Sequence, residues 1–367
     1  MSTTLQHALT SARTLLICGT GGVGKTTTSV VVGLAAAQLG RRTLVLTVDP
    51  ARRLANVLGL AAFDHDIHRV WEHTPRNAEP TRAGSLDCMM LDAKRTFDRV
   101  IERYAPDADS AKKILHNPLY QQLSTMIAGS QEYMAMEQLY DLMQSTDYDL
   151  IILDTPPMHQ ALDFFRAPLR MVNAVSGSML KLFLKPTLMA SKWGAALLSR
   201  GTDKLLRMFG RLTGAEMLHE ISELIMSAVG LLGGFKERAE AVQAMLRAEN
   251  AGLIIVTVPQ RELILDAQHF LAEVETLGMQ IRGIILNRTT PMFGKFPPHQ
   301  SLPAGLRDLA AQCEQRRAIE QQLTRTLAKN TPRCPLHCIM ERVQPPTTLQ
   351  ELLSVAEELS TGVSSIK

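Results

Sequence analysis

The sequence predicts an α/β fold: a mainly parallel sheet with helices on both faces and an inserted α-helical subdomain. Three observations carry that prediction. Short, nearly continuous apolar runs alternate with helical patterns, as strands buried on both faces require. The first run leads through a glycine cluster straight into a helical stretch. Two long segments, 93–147 and 164–245, show helical apolar patterns with no strand signal.

Taken in order, the candidate strands are residues 15–18, 43–48, 86–91, 150–153, 253–258, 283–286 and 336–340. Residues 348–359 read as an amphipathic, acidic closing helix. The chain has one glycine loop and no internal repeat, so its 367 residues are expected to form one enlarged domain rather than two fused halves. Within residues 1–367, the nucleotide core is expected at about 1–92, 148–163 and 246–367, and the helical subdomain at about 93–147 and 164–245. A composition of 46% apolar and 20% charged residues is that of an ordinary globular chain. The net charge of +3 is too small to argue for nucleic acid. No apolar run approaches the ~18 residues that span a membrane, so no integral span is expected. The N-terminus lacks a signal-peptide core. Cys18, Cys88, Cys313, Cys334 and Cys338 form no paired framework, which suits a reducing cytoplasm.

The chemistry starts at Gly19-Thr20-Gly21-Gly22-Val23-Gly24-Lys25-Thr26-Thr27, between the strand 15–18 and a helix running from Thr26 to about Gly40. Strand, glycine loop, Lys-Thr and helix in that order make a phosphate-binding loop, so the fold is that of a P-loop NTPase that binds a nucleoside triphosphate. Glycines let successive N–H groups turn toward the β-phosphate without Cβ clashes. Lys25 brings a point charge to the β/γ oxygens, Thr26 offers a hydroxyl to Mg²⁺, and the helix N-terminus favours the anion. The filling Gly21-Gly22-Val23, with Thr27 after Thr26, resembles the deviant phosphate loop of signal-recognition and cell-division P-loop proteins, which work as nucleotide-gated dimers. Those families carry a signature lysine immediately after the first glycine. Here the residue is Thr20.

Two strand-end carboxylates complete the set. Asp49, in Thr47-Val48-Asp49-Pro50-Ala51-Arg52-Arg53-Leu54, lies on the face where open α/β sheets bind ligands, placed to orient the attacking water. Asp154, in Asp154-Thr155-Pro156-Pro157, is expected as the second Mg²⁺ anchor, through water. The run Leu286-Asn287-Arg288-Thr289-Thr290 lacks the Asn-Lys-x-Asp that holds guanine, while the Asn287 amide can meet an adenine edge; ATP is favoured.

The loop at 19–27, Asp49-Pro50-Ala51, Asp154-Thr155-x-Pro157, Val256-Thr257-Val258-Pro259 and Leu286-Asn287 together resemble the family of arsenite-pump and tail-anchored-protein-targeting ATPases, over nearly the whole chain and in family order. Gln131-Glu132-Tyr133-Met134-Ala135-Met136-Glu137, Ala161-Leu162-Asp163-Phe164-Phe165 and Gly234-Phe235-Lys236-Glu237-Arg238 look most like its bacterial ArsA-like branch. The resemblance implies that Asp49 is the hydrolytic aspartate of a first switch and that Asp154 begins a second. It also implies adenine contacts from Asn287 and the loop at about 340–346, with a homodimer that opens and closes on ATP. Thr20 departs from the pattern: either activation across the dimer is weak or another cation serves. Arg52 or Arg53 is the candidate, and solvent-facing helix arginines are the plainer reading. Only Cys313 lies where targeting members carry a zinc-clamping Cys-x-x-Cys, so no zinc-bridged dimer is expected. Cys334-Pro335-Leu336-His337-Cys338 has the wrong spacing for a zinc pair and reads as strand. Asp64-His65-Asp66-x-His68, with His73 beyond, reads as a polar surface turn, and His159 as a structural residue.

Of 18 methionines, 14 fall between residues 89 and 245. Residues 164–214 also carry nine Lys/Arg against the single acid Asp203. Polarizable, unbranched side chains under a cationic rim suit a hydrophobic client or an anionic membrane surface. A Met-tolerant helical core is the plainer reading. The function expected is therefore a cytoplasmic Mg²⁺-ATPase whose ATP-driven dimer switching controls a hydrophobic client. The alternatives are a regulatory or membrane-associating switch of the partitioning type, and the ATPase subunit of an anion or metalloid efflux system.

Overall fold

The computed structural model describes residues 5–48, 55, 58, 65–72, 83–118, 120–121, 131–158, 160–162, 165–166, 232–291, 303–332 and 334–361. The described residues fall into two compact units, Met1–Leu91 with Leu139–Phe164 and Leu246–Lys367, and Asp92–Gln138 with Phe165–Met245.

The first unit is built on an eight-stranded sheet. Its strands are β1 (Thr14–Gly19), β2 (Arg42–Thr47), β3 (His68–Glu72), β4 (Ser85–Met90), β5 (Leu150–Asp154), β6 (Ala251–Thr257), β7 (Ile281–Thr289) and β8 (Leu336–Met340). They lie in the order β3-β4-β2-β5-β1-β6-β7-β8, and every pairing is parallel except β3 with β4. The unit also contains α1 (Leu5–Ser11) and α2 (Lys25–Gln38). Among the described residues, the second unit holds α3 (Ala93–Tyr104), α4 (Ala108–His116), the start of α5 (Gln131–Ser145) and most of α6 (Leu232–Arg247). Helices α7 (Arg261–Thr276), α8 (Ala304–Asn330) and α9 (Leu349–Thr361) return to the sheet unit.

The central strands are fully buried because both of their faces are covered. Leu15 and Ile17 of β1, Val45 of β2, Ile152 of β5 and Ile254 and Val256 of β6 pack in one cluster with α2 and α9. Their alternates, including Leu16, Leu44, Leu153 and Leu253, are buried on the other side. Helix α2 is buried nearly all round, from Thr28 to Ala37, which explains its run of Val, Leu and Ala without a polar stripe. Gly33 permits that closeness: a Cβ there would meet the Leu86 side chain at 2.7 Å.

All seven expected strands are present, and β3 is the additional one. His68 opens this edge strand and does not belong to a turn; only His65 and Asp66 bend before it. The mixed pattern His-Arg-Val-Trp-Glu, with two charges among five residues, hides a strand by periodicity, yet charged edges are how sheets avoid further pairing. Arg69 bonds the buried Asp87 of β4, whose other oxygen accepts from Tyr148 Oη at 2.5 Å. Val70 and Trp71 pack on the core cluster.

In the second unit Val100, Ile101, Ala111, Ile114, Tyr120, Tyr133, Met134 and Ala239 make a separate core. A polar group is sealed beside it. Glu137, fully buried, accepts Tyr133 Oη at 2.5 Å and Arg238 Nε at 2.7 Å. The basic stretch 164–214 lies almost wholly outside the described residues. Seven of the 14 methionines between 89 and 245 are described, and five of them, Met89, Met134, Met136, Met158 and Met245, are buried, as the Met-tolerant core reading expects.

Candidate functional site

The site forms where β1 ends. β1 lies between β5 and β6, with Ile17 level with Asp154 and Gly19 level with Val256. The chain leaves β1 at Gly19 because nothing larger fits: a Cβ would stand 2.3 Å from the Val256 carbonyl. Gly22 (φ 80°) and Gly24 (φ 94°) take left-handed conformations that L side chains rarely adopt. A Cβ at Gly21 or Gly22 would meet nothing within 4 Å, so the loop faces open space of the kind an anion can fill. Gly24 caps α2 without a side-chain hydrogen bond, and the helix has no acid in its first turn. Its N-terminus thus presents positive potential that no protein carboxylate in that turn offsets.

Lys25 Nζ bonds the Thr20 carbonyl at 3.2 Å, folding the ammonium back over the loop. The Thr20 hydroxyl is buried and has no hydrogen-bond partner among the described residues. Asn287, at the end of β7, donates its Nδ2 to the Val23 carbonyl at 2.7 Å, and its Oδ1 accepts the Arg288 N–H at 2.9 Å. Arg288 sits at φ 56°, in the left-handed region. Asn287 therefore anchors the loop to β7, a function additional to the base contact expected of it.

Asp154 is the convergence point. It is 2% exposed and accepts hydroxyls from two elements. Thr26 Oγ1 lies 2.6 Å and Thr47 Oγ1 3.1 Å from Oδ2, and Ser29 Oγ lies 3.3 Å from Oδ1. Burial pushes the Asp154 carboxyl upward; the Thr26 bond, the Lys25 charge and the Thr47 and Ser29 bonds pull it back. Thr155 ties the next residue to β1, donating Oγ1 to the Ile17 carbonyl at 2.9 Å. Hydroxyl and carboxylate oxygens side by side are hard donors of the type that suits Mg²⁺.

Of the expected residues, 19–27, Asp154 and Asn287 are therefore gathered at one end of the central strands. Asp49, Arg52 and Arg53 lie outside the described residues, as do Asp64, His73 and His159. Ser29 and Thr47 also bond Asp154, and the sequence alone assigns neither a role. Ser29 follows Lys25 by one helical turn, a spacing that puts it on the same face. Thr47 closes an apolar strand beside another that closes in Asp, but only the register makes them neighbours. Among the described residues no three His, Cys, Asp or Glu side chains group as a metal site. Cys338 lies in β8, and burial pushes its thiol up to about 11.

A central parallel strand feeding a glycine loop and a buried helix, with a strand-end Asp bonded to the Thr after the loop lysine, defines a P-loop nucleoside triphosphatase. The family model of anion-transporting ATPases matches residues 12–330. The chain belongs to that family and is an ATP-hydrolysing enzyme. Among its relatives, ATPase get3 of Aspergillus niger is 22% identical over 360 residues, 96% of this chain and 92% of the relative. ATPase get3 of Aspergillus terreus is 22% identical over 278 residues, 75% and 73% of the two chains. Arsenical pump-driving ATPase 1 of Aquifex aeolicus is 25% identical over 289 residues, 76% of this chain and 64% of the relative.

Proposed function

We propose that this ATPase is a cytoplasmic, Mg²⁺-dependent homodimer whose nucleotide state controls the binding and release of a hydrophobic client. The observation that carries the reading is the Thr26–Asp154 bond, which links the phosphate loop to the first residue of the segment 154–163. A change at the γ-phosphate is then felt where the chain leaves β5 for the helical subdomain.

In this reading the N–H groups of residues 19–27 cradle the phosphates of ATP or ADP, and Lys25 leaves the Thr20 carbonyl to meet the β/γ oxygens. Thr26 and Asp154 would hold Mg²⁺, which would supply charge neutralisation for the phosphates there. Asp49 orients the attacking water. Asn287 fixes the loop with one amide hydrogen and offers the rest of its edge to adenine. The next residue, Arg288, lines a cavity of about 460 Å³ with Gln260, Gln312, Arg316 and Glu341, with room for a base. The client reading draws on the cationic stretch 164–214 and on the methionines within it, Met171, Met179, Met189 and Met208.

Co-expression with a panel of single-span, tail-anchored proteins tests the client. Each is paired with a version carrying two charges in its span, and complexes are isolated with and without Mg-ATP. Capture of the apolar spans alone is expected. A folded, ATP-binding dimer that captures none would replace this reading with a regulatory, membrane-associating switch, for which nucleotide-dependent liposome binding is the readout. Stimulation of hydrolysis by arsenite would instead favour an efflux subunit.

A further inference from the structure

We propose that Thr47 is a positioning residue for ATP hydrolysis: its hydroxyl fixes Asp154 and so sets how tightly the nucleotide site holds its divalent cation. The inference rests on the assignment of Asp154 to the Mg²⁺ site. Thr47 and Asp154 are paired residues of the adjacent parallel strands β2 and β5, so their side chains leave the sheet on one face. Both are buried, at 0% and 2% exposure, and Thr47 Oγ1 stands 3.1 Å from Oδ2. Thr26 Oγ1, on α2, reaches the same oxygen at 2.6 Å. Two donors from separate elements on one oxygen hold the carboxylate in a single orientation.

A valine would fill the Thr47 position with the same shape, and the β2 positions before it, Leu44, Val45 and Leu46, are all apolar. A buried hydroxyl is unfavourable without a partner. The hydroxyl donates to the Asp154 carboxylate, which ties it to the site. Ser29 has the lesser role. Its one proton is shared between the Lys25 carbonyl at 3.0 Å and Asp154 Oδ1 at 3.3 Å. Groups that hydrogen-bond a metal's direct ligands typically change its affinity by about 10–100-fold when removed. Thr47, acting on a carboxylate that reaches the cation through water, belongs at the low end of that range.

The test uses the full chain with bound ADP and Mn²⁺ as the probe, free Mn²⁺ being measured by electron paramagnetic resonance. Thr47→Val is expected to weaken Mn²⁺ binding about tenfold, the low end of that range, while ADP affinity in EDTA stays at the wild-type value. Thr47→Ser, which keeps the hydroxyl, is expected to bind Mn²⁺ as the wild type does. Wild-type Mn²⁺ affinity in Thr47→Val overturns the proposal. So does an equal loss of ADP affinity in EDTA, or failure of both Thr47→Val and Thr47→Cys to fold, since either gives Thr47 a structural role only. Asp154→Asn separates the two levels of the argument. Lost Mn²⁺ binding there with retained binding in Thr47→Val removes the role of Thr47 alone. Retained binding in Asp154→Asn removes the metal assignment and the role of Thr47 with it.

Discussion

Gly24 holds φ at 94° where the loop enters α2, and a Cβ on it would stand 2.6 Å from Asn287 Nδ2. That amide is already committed to the Val23 carbonyl, so it has no room to yield. Gly24→Ala meets two penalties at once, the left-handed backbone at about 1–2 kcal/mol and a displaced anchor. Fluorescent-ATP titration is expected to show binding weakened by at least about tenfold, the equivalent of the backbone term alone at its centre. Asn287→Ala keeps the backbone and removes only the tie. Losing a hydrogen bond to a buried carbonyl costs about 1–3 kcal/mol, which should lower the unfolding midpoint, and the loosened loop should weaken nucleotide affinity as well. An unfolding midpoint that falls while nucleotide affinity holds would make the tie structural. The glycines were legible at this scale because a backbone requirement is written in residue type. Thr47 was not, since a threonine ending a strand is unremarkable until its neighbour is known.

Helices α2 and α5 are held by opposite means. α2 is an apolar rod, with Leu34 fully buried. Leu34→Ala is expected to destabilise the sheet unit by about 2–5 kcal/mol in urea unfolding, the usual cost of a cavity that cannot collapse. α5 instead carries Glu137, whose charge is balanced by Arg238 of α6 with side-chain exposures of 0% and 10%. Removing one partner of a buried pair leaves an uncompensated charge and costs about 3–5 kcal/mol. Arg238→Met should therefore lower hydrogen-exchange protection in α3 to α6 while the sheet strands stay protected. The double variant Arg238→Met/Glu137→Leu should recover most of it. No recovery would mean that the pair supplies specific geometry beyond mutual neutralisation. The sequence revealed that these segments are helices, from apolar spacing. It did not reveal that α5 and α6 meet through an ion pair, because nothing in either segment names the other.

Across the molecule, all five thiols are free, and burial raises those on the central strands: Cys18 is pushed up to about 12 and Cys88 higher. A thiol far above ambient pH has almost no thiolate with which to attack or to bind a soft metalloid. Alkylation at pH 8 followed by mass spectrometry is expected to modify Cys313, which is partly exposed, and to leave Cys18 and Cys88 untouched until denaturant is added. Early labelling of Cys18 would show that the β1 end opens in the native state. No helix among the described residues is long and apolar enough to cross a membrane. Sedimentation with and without Mg-ATP measures the proposed dimer, which Thr20 must support without a signature lysine.

The sequence by itself determined the parallel sheet, the phosphate loop and the class of chemistry. Each is local: buried strands are continuous apolar runs, and a loop that cradles phosphate needs glycine at fixed offsets before Lys and Thr. Tertiary structure alone decided the antiparallel edge β3, the anchoring of Val23 by Asn287, and the meeting of Thr26, Ser29 and Thr47 on Asp154. Those depend on strand order and register, which join residues up to 264 positions apart in the chain. Apolar pattern fixes which face a side chain takes, but only pairing fixes what stands beside it.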